Sequence, residues 1–193
     1  MKKILLITIN LLLLTGCSNV IESNTKVASS LSDAYKNYFD IGVAVTANNI
    51  NSLVENDLLN EYNTFTAEYE MKWDQVQLTE DTYNFTNCDS IVNFAIEHDK
   101  TIRGHTLIWR TNVPKFIEDI EYSNLSTEEK IDKVFNLVKE YYITMTNRYG
   151  EVINVWDVAN EVIEDYNDYM YRHDNIYFQL CDYNDELFEK FIA

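Results

Sequence analysis

Short apolar runs alternate with longer segments of helical periodicity along this chain, and few architectures accommodate that order. Ile41-Gly42-Val43-Ala44-Val45 reads as a buried strand, and Asn48 to Asn60 as a helix with Ile50, Leu53, Val54, Leu58 and Leu59 on one side. Thr64-Phe65-Thr66 is a second strand. A helix capped by Asn87 or Asp89 and running to His98 follows it, carrying Ile91, Val92, Phe94 and Ala95. Thr101 to Trp109 is a third strand. Ser126-Thr127-Glu128-Glu129 opens a helix to about Tyr149, with Ile131, Val134, Leu137, Val138, Tyr141 and Tyr142 inward and Gly150 as its stop. Val152 to Val158 is a fourth strand, and Asn175 to Ile192 a fourth helix.

Four βα units in succession predict a parallel sheet covered by helices, wound in one direction because helical crossovers are right-handed. Either a doubly wound sheet or part of a (β/α)8 barrel of the TIM type satisfies this. A doubly wound nucleotide binder needs glycines between its first strand and helix. Here that turn is Thr46-Ala47-Asn48-Asn49, without GxG or P-loop. Polar residues gather instead at the C-terminal ends of the strands: Glu68, Glu70 and Lys72 after the second, His105 and Trp109 in the third, Asn160 and Glu161 after the fourth. Barrel enzymes place their chemistry there. A whole barrel takes about 250 residues, so the expected fold class is α/β, a (β/α)8 barrel truncated to about its first four units.

The N-terminus is expected to lie outside that fold. Lys2 and Lys3, the apolar run Ile4 to Leu14 and then Leu14-Thr15-Gly16-Cys17 follow the order of a secretory signal, and the run is short for a spanning helix. The small residues before Cys17 resemble the lipobox of bacterial lipoproteins; an ordinary signal peptide is the alternative. The expected organisation is a signal peptide over 1–16, a lipidated Cys17 opening a Ser/Asn/Thr/Ala-rich tether over 17–32, and a partial barrel domain over 33–193. This implies an exported lipoprotein, anchored at a membrane on the cell surface or in the periplasm. A net charge of −17, spread along the chain, argues against nucleic acid and favours a neutral ligand. Cys88 and Cys181 are far apart and read as buried thiols, with a disulfide as the alternative. His98, His105 and His173 lack paired ligand spacing, so neither metal nor cofactor is expected.

Three stretches together resemble one family. Phe65-Thr66-Ala67-Glu68-Tyr69-Glu70-Met71-Lys72-Trp73, Arg103-Gly104-His105-Thr106-Leu107-Ile108-Trp109 and Trp156-Asp157-Val158-Ala159-Asn160-Glu161 look like the N-terminal half of a family-10 glycoside hydrolase, the endo-β-1,4-xylanase family. Tyr83-Asn84-Phe85 and Ile91-Val92-Asn93-Phe94-Ala95 fit the segment between the first two. Asn-Glu after a strand is weak alone; the order of all the stretches over about residues 33–193 is specific. The resemblance implies a barrel enzyme that cleaves internal β-1,4 bonds of xylan with retention, using two carboxyl groups about 5–5.5 Å apart.

By that resemblance Glu161 is the acid/base, with a pKa expected above that of a free carboxylate. Asn160 would bond the sugar 2-OH, His105 and Trp109 would line the neighbouring site, and Glu68 and Lys72 the next sugar out. Trp73 and Trp156 read as structural. Tyr69 replaces the family's usual Asn. Arg110-Thr111-Asn112 replaces His-Ser-Gln, so that Asn112 keeps a substrate-facing amide on a shorter arm and Arg110 adds a charge. The family's nucleophile, a glutamate on a later strand, is expected to be absent from the chain, and Glu164, Glu186 and Glu189 are not placed to replace it. Two other classes fit some of the residues: a cellulase-like barrel glycosidase, and a non-catalytic surface lipoprotein that binds polysaccharide.

Overall fold

The structure, a computed structural model, describes residues 27–166 and 170–192. The signal segment over 1–16, Cys17 and the tether up to residue 26 lie outside the described residues. In chain order the elements are α1 (Leu31–Tyr35), β1 (Gly42–Val45), α2 (Ser52–Glu55), a 3-10 turn (Leu59–Glu61), β2 (Thr64–Ala67), α3 (Trp73–Val76) and the ribbon β3 (Gln77–Thr79) and β4 (Thr82–Tyr83). Then come α4 (Thr86–Glu97), β5 (Thr101–Trp109), α5 (Lys115–Glu121), α6 (Thr127–Tyr149), β6 (Val155–Asn160), α7 (Ile176–Leu180) and α8 (Asp185–Ile192).

β1, β2, β5 and β6 form one parallel sheet in that order. The order never reverses, so the sheet has no switch point of the doubly wound kind. Sequential parallel strands with helical crossovers are the arrangement of half a (β/α)8 barrel. Phe65, Ala67, Ile102 and Ile108 on the strands are buried against Ile91, Ala95, Val134, Val138 and Tyr141 of the helices. Trp73 stacks on Tyr141 with ring centroids 4.9 Å apart, and the Tyr141 hydroxyl donates to the Met71 carbonyl at 3.3 Å. The Trp73 indole N–H donates to Gln77 Oε1 at 2.7 Å, so its one polar atom is satisfied in the core. Trp156 lies flat over Gly104, where an added Cβ would sit 2.1 Å from the ring. Both indoles are structural, as the sequence implies.

The long helix α6 starts where expected. Ser126 and Glu129 exchange side-chain and backbone hydrogen bonds as a capping box, satisfying amides that the first turn leaves open. Other boundaries move for local reasons. Asp57, at φ 57°, breaks the expected 48–60 helix, leaving one turn of α2 and a 3-10 turn. Asp182 and Tyr183, at φ 50° and 55°, divide the expected 175–192 helix into α7 and α8. β6 begins at Val155 rather than Val152, because Val152 and Ile153 spend their amides on the Tyr149 carbonyl. Neither Asn87 nor Asp89 caps α4. Asn84 Oδ1 accepts from the Thr86 amide at 3.1 Å, and Asp89 pairs with Arg148 and the Tyr149 hydroxyl. α1 opens at Leu31 with Ser30 as its cap, two residues ahead of the expected domain start. Cys88 and Cys181 are both free and buried.

Candidate active site

The C-terminal ends of the strands carry the polar residues, and each is placed by a different strand or the turn after it. Trp109 and Asn160 close β5 and β6 and pair with each other in register. Glu161 follows immediately with φ 52°, a left-handed conformation unusual for a side chain with a Cβ. That turn redirects the chain as the strand ends, and the carboxylate meets the β5 terminus. Glu161 Oε2 accepts from the Trp109 indole N–H at 2.9 Å and from Arg110 Nε at 3.0 Å, with the side chain still 43% exposed.

This pairing reverses the expectation for the Glu161 pKa. The Trp109 N–H and then the Arg110 guanidinium stabilise the carboxylate more than burial opposes it, so its pKa lies below the ordinary glutamate value. An acid/base raised toward neutrality requires burial or a neighbouring carboxylate, and here the nearest partners are donors.

His105 sits on β5 opposite Asp157 of β6, with Nδ1 2.9 Å from Asp157 Oδ2. Arg103 Nε donates to the same oxygen at 3.0 Å, and a second guanidinium N–H reaches Oδ1. Burial alone would raise Asp157, but the Arg103 and His105 hydrogen bonds outweigh it and hold the carboxyl below its usual range. With Asp157 ionised and able only to accept, the His105 Nδ1–H is the donor in this bond. Arg103, His105 and Asp157 share one face of the sheet because residues two apart on a strand point the same way. The sequence motif contains Asp157 without indicating a role, and the fold supplies one by pairing it with His105 and Arg103.

Lys72, only 6% exposed, comes from the turn after β2. Its ammonium lies 4.4 Å from the Trp109 ring centroid and 4.6 Å from that of Tyr69. Burial pushes its pKa down, against the opposing pull of Asp74, Glu68, Glu161 and Glu70. Tyr69 thus forms one wall of a cation site whose other wall is Trp109. Glu68 is half-buried and its amide extends the ladder to the Val45 carbonyl at 2.9 Å. Glu70 caps the turn after β1, accepting from the Ala47 amide at 2.7 Å.

Asn112 is engaged within the protein. Its side-chain amide donates to Asp74 Oδ2 at 3.1 Å, its carbonyl accepts from the Asp74 amide at 3.3 Å, and its φ is 54°. It ties the loop after β5 to α3. The structure therefore groups Lys72, Trp109 and Glu161 in contact, sets Asn160 beside Trp109 across the ladder, leaves His105 four residues earlier on β5 paired with Asp157, and commits the Asn112 amide to scaffolding. Among the described residues no three His, Cys, Asp or Glu side chains converge as a metal site.

Known proteins are similar to this chain in sequence and fold. The family model described as Glycosyl hydrolase family 10 matches residues 30–188. Endo-1,4-beta-xylanase A of Caldicellulosiruptor saccharolyticus is 34% identical over 160 residues, covering 82% of this chain and 46% of the relative. The structure of xylanase XynB from Paenibacillus barcinonensis complexed with a conduramine derivative aligns with a TM-score of 0.70 at 33% identity, covering 86% of this chain and 48% of that one. A mutant structure in complex with xylotriose aligns at 0.67 and 30% identity, covering 85% of this chain and 50% of that one. The chain thus spans about half the length of the relatives it matches. With the matched region taking in all four barrel strands and every candidate residue from Glu68 to Glu161, the chain belongs to glycosyl hydrolase family 10.

Proposed function

We propose that this chain supplies the proton-transferring half of a retaining endo-β-1,4-xylanase site, with xylan or xylo-oligosaccharides as its ligand. The observation that carries the reading is the Trp109–Glu161 contact at the strand ends, which fixes one carboxylate beside an indole, a buried ammonium and the β6 asparagine. Glu161 is the acid/base. Asn160, His105, Trp109, Glu68 and Lys72 bind sugar hydroxyls and faces. Asn112 contributes by holding Asp74 and the loop beside Lys72. No cofactor is involved. Retention also needs a nucleophile about 5–5.5 Å from Glu161, which the family's pattern assigns to a later strand than these four.

A single positioned acid contributes roughly 10²–10⁴-fold, far below a complete glycosidase acceleration, so the four units alone should turn over xylan negligibly. Co-expression with the C-terminal half of a related xylanase should restore turnover, and Glu161→Gln should abolish it. Cleavage that survives this substitution would sink the assignment. The low pKa of Glu161 favours one second reading, a polysaccharide-binding protein without turnover. In that case Glu161→Ala would leave xylo-oligosaccharide binding unchanged.

The N-terminus completes the proposal: a signal over 1–16, lipidation at Cys17, a tether over 17–32 and the barrel domain from 33, giving an exported, membrane-anchored protein. The Leu14-Thr15-Gly16-Cys17 sequence supports this. A lone acyl chain binds membranes only marginally, so stable anchoring needs several. Equal release of wild type and Cys17→Ala into the medium would refute it.

A further inference from the structure

Arg110 comes directly after β5, and its guanidinium is shared between two carboxylates. Nε donates to Glu161 Oε2 at 3.0 Å, while a terminal nitrogen donates to Asp174 Oδ2 at 2.8 Å. Asp174 lies in the segment before α7 and accepts from Arg172 Nε at 3.1 Å. Arg172 reaches Glu164 and Asp165 as well, each at 3.4 Å. A continuous ionic chain therefore runs from Glu161 through Arg110 and Asp174 to Arg172, joining the end of β5 to both sides of the β6–α7 connection.

We infer that Arg110 is a positioning residue, drawing the Glu161 carboxylate against the Trp109 indole and tying it to Asp174, so that protonating Glu161 weakens this clamp. The Trp109 and Arg110 donors both reach the same oxygen, Oε2. Protonating the carboxyl removes the charge assistance from both bonds, and charge-assisted bonds are roughly twice as strong as neutral ones. The charges facing Glu161 are Arg110 from the β5 end, Arg172 from the segment before α7, and Lys72 from the turn after β2. Asp174 is the carboxylate that competes for Arg110, and it is itself occupied by Arg172, so Arg110 is not drawn away from Glu161. The low pKa of Glu161 agrees with this geometry, with Trp109 its first cause and Arg110 its second donor.

The inference rests on Glu161 being the proton donor, but its test does not need turnover. The full chain is labelled with carboxyl-¹³C glutamate, the Glu161 signal is identified by its loss in Glu161→Gln, and its titration is followed by NMR. Arg110→Leu should raise the Glu161 midpoint by about one pH unit, a tenfold gain in proton affinity and the lower end of what an adjacent arginine exerts. Arg110→Lys should restore part of the depression, because it keeps the charge without the fork. An unchanged midpoint in Arg110→Leu would overturn the inference. Should that variant not fold, Arg110→Gln is titrated in its place: a raised midpoint supports the clamp and an unchanged one overturns it. Xylo-oligosaccharide binding by the same samples is a separate readout; its absence would remove the glycan reading and leave the titration result standing.

Discussion

Replacing Gly104 with alanine would insert one carbon into the closest approach between β5 and β6. The new Cβ would meet Trp156 Cε3 at 2.1 Å and two further ring atoms at 2.4 and 2.5 Å. Reaching an ordinary contact of about 3.4 Å moves the indole by about 1.3 Å. The ring cannot retreat freely, because its N–H donates to the Ile153 carbonyl at 3.2 Å and its neighbour Asp157 is held by Arg103 and His105. Overpacking of this kind costs about 1–3 kcal/mol, and a lost hydrogen bond adds about 1 kcal/mol. The expected loss is therefore about 2–4 kcal/mol, read as a lower urea midpoint at unchanged slope in far-UV circular dichroism of the full chain. The cause is isolated by a cycle with Trp156→Leu: once the indole is gone, Gly104→Ala should cost little. A loss under about 0.5 kcal/mol, or the same penalty with and without the indole, would refute the steric reasoning.

Three other outcomes follow from features away from the site. Cys88 is buried and its pKa is pushed up to about 12 by that burial, so it should resist Ellman's reagent at mild pH until the chain unfolds; rapid labelling of the native protein would contradict this. Ser126→Ala removes half of the α6 capping box and should lower stability by about 0.5–2 kcal/mol in thermal unfolding, with Ser126→Asp largely neutral. Asp89 is held low chiefly by its hydrogen bond from Arg148, so its stabilisation is present above the unfolded pKa and lost as pH falls through the depressed folded value. Asp89→Asn should therefore cost stability near neutral pH and converge with the wild type in acid, by an amount that shrinks with salt because both partners are partly exposed; a difference that persists in acid would count against the pairing.

Periodicity made the large features legible. β5 spans the expected residues, and α6 begins at the capping box visible in Ser126-Thr127-Glu128-Glu129, because both signals are local. Two helix breaks share one physical origin, a left-handed residue other than glycine. Asp57 and the Asp182–Tyr183 pair interrupt helices that hydrophobic spacing alone continues, and aspartate, which tolerates that conformation, is too common on helix surfaces to mark the break. The ribbon β3–β4 leaves no sequence signal because its five strand residues carry too little alternation. At the site, residue types and strand ends were readable, whereas electrostatics were not. Arg110 was visible as an added charge, but its grip on Glu161 depends on a turn at φ 52° and on Asp174, 64 residues away. Asn112 likewise reads as a free amide until the fold brings Asp74 to it.

The pairing of β5 with β6 also sets a timetable for synthesis. Arg103 and Asp157 lie 54 residues apart, with all of α6 between them. At a translation rate of 5–20 residues per second, β5 leaves the ribosome roughly 3–11 s before the strand that completes its ladder. Through that interval β5 can pair only with β2, and its other edge waits unpaired. Helix α6 forms in about a microsecond once exposed, so chain synthesis and not helix formation sets this wait. Glu161, one residue past β6, takes its place only after this wait, so a pause or slow codon within α6 would lengthen the period of greatest risk from misassociation.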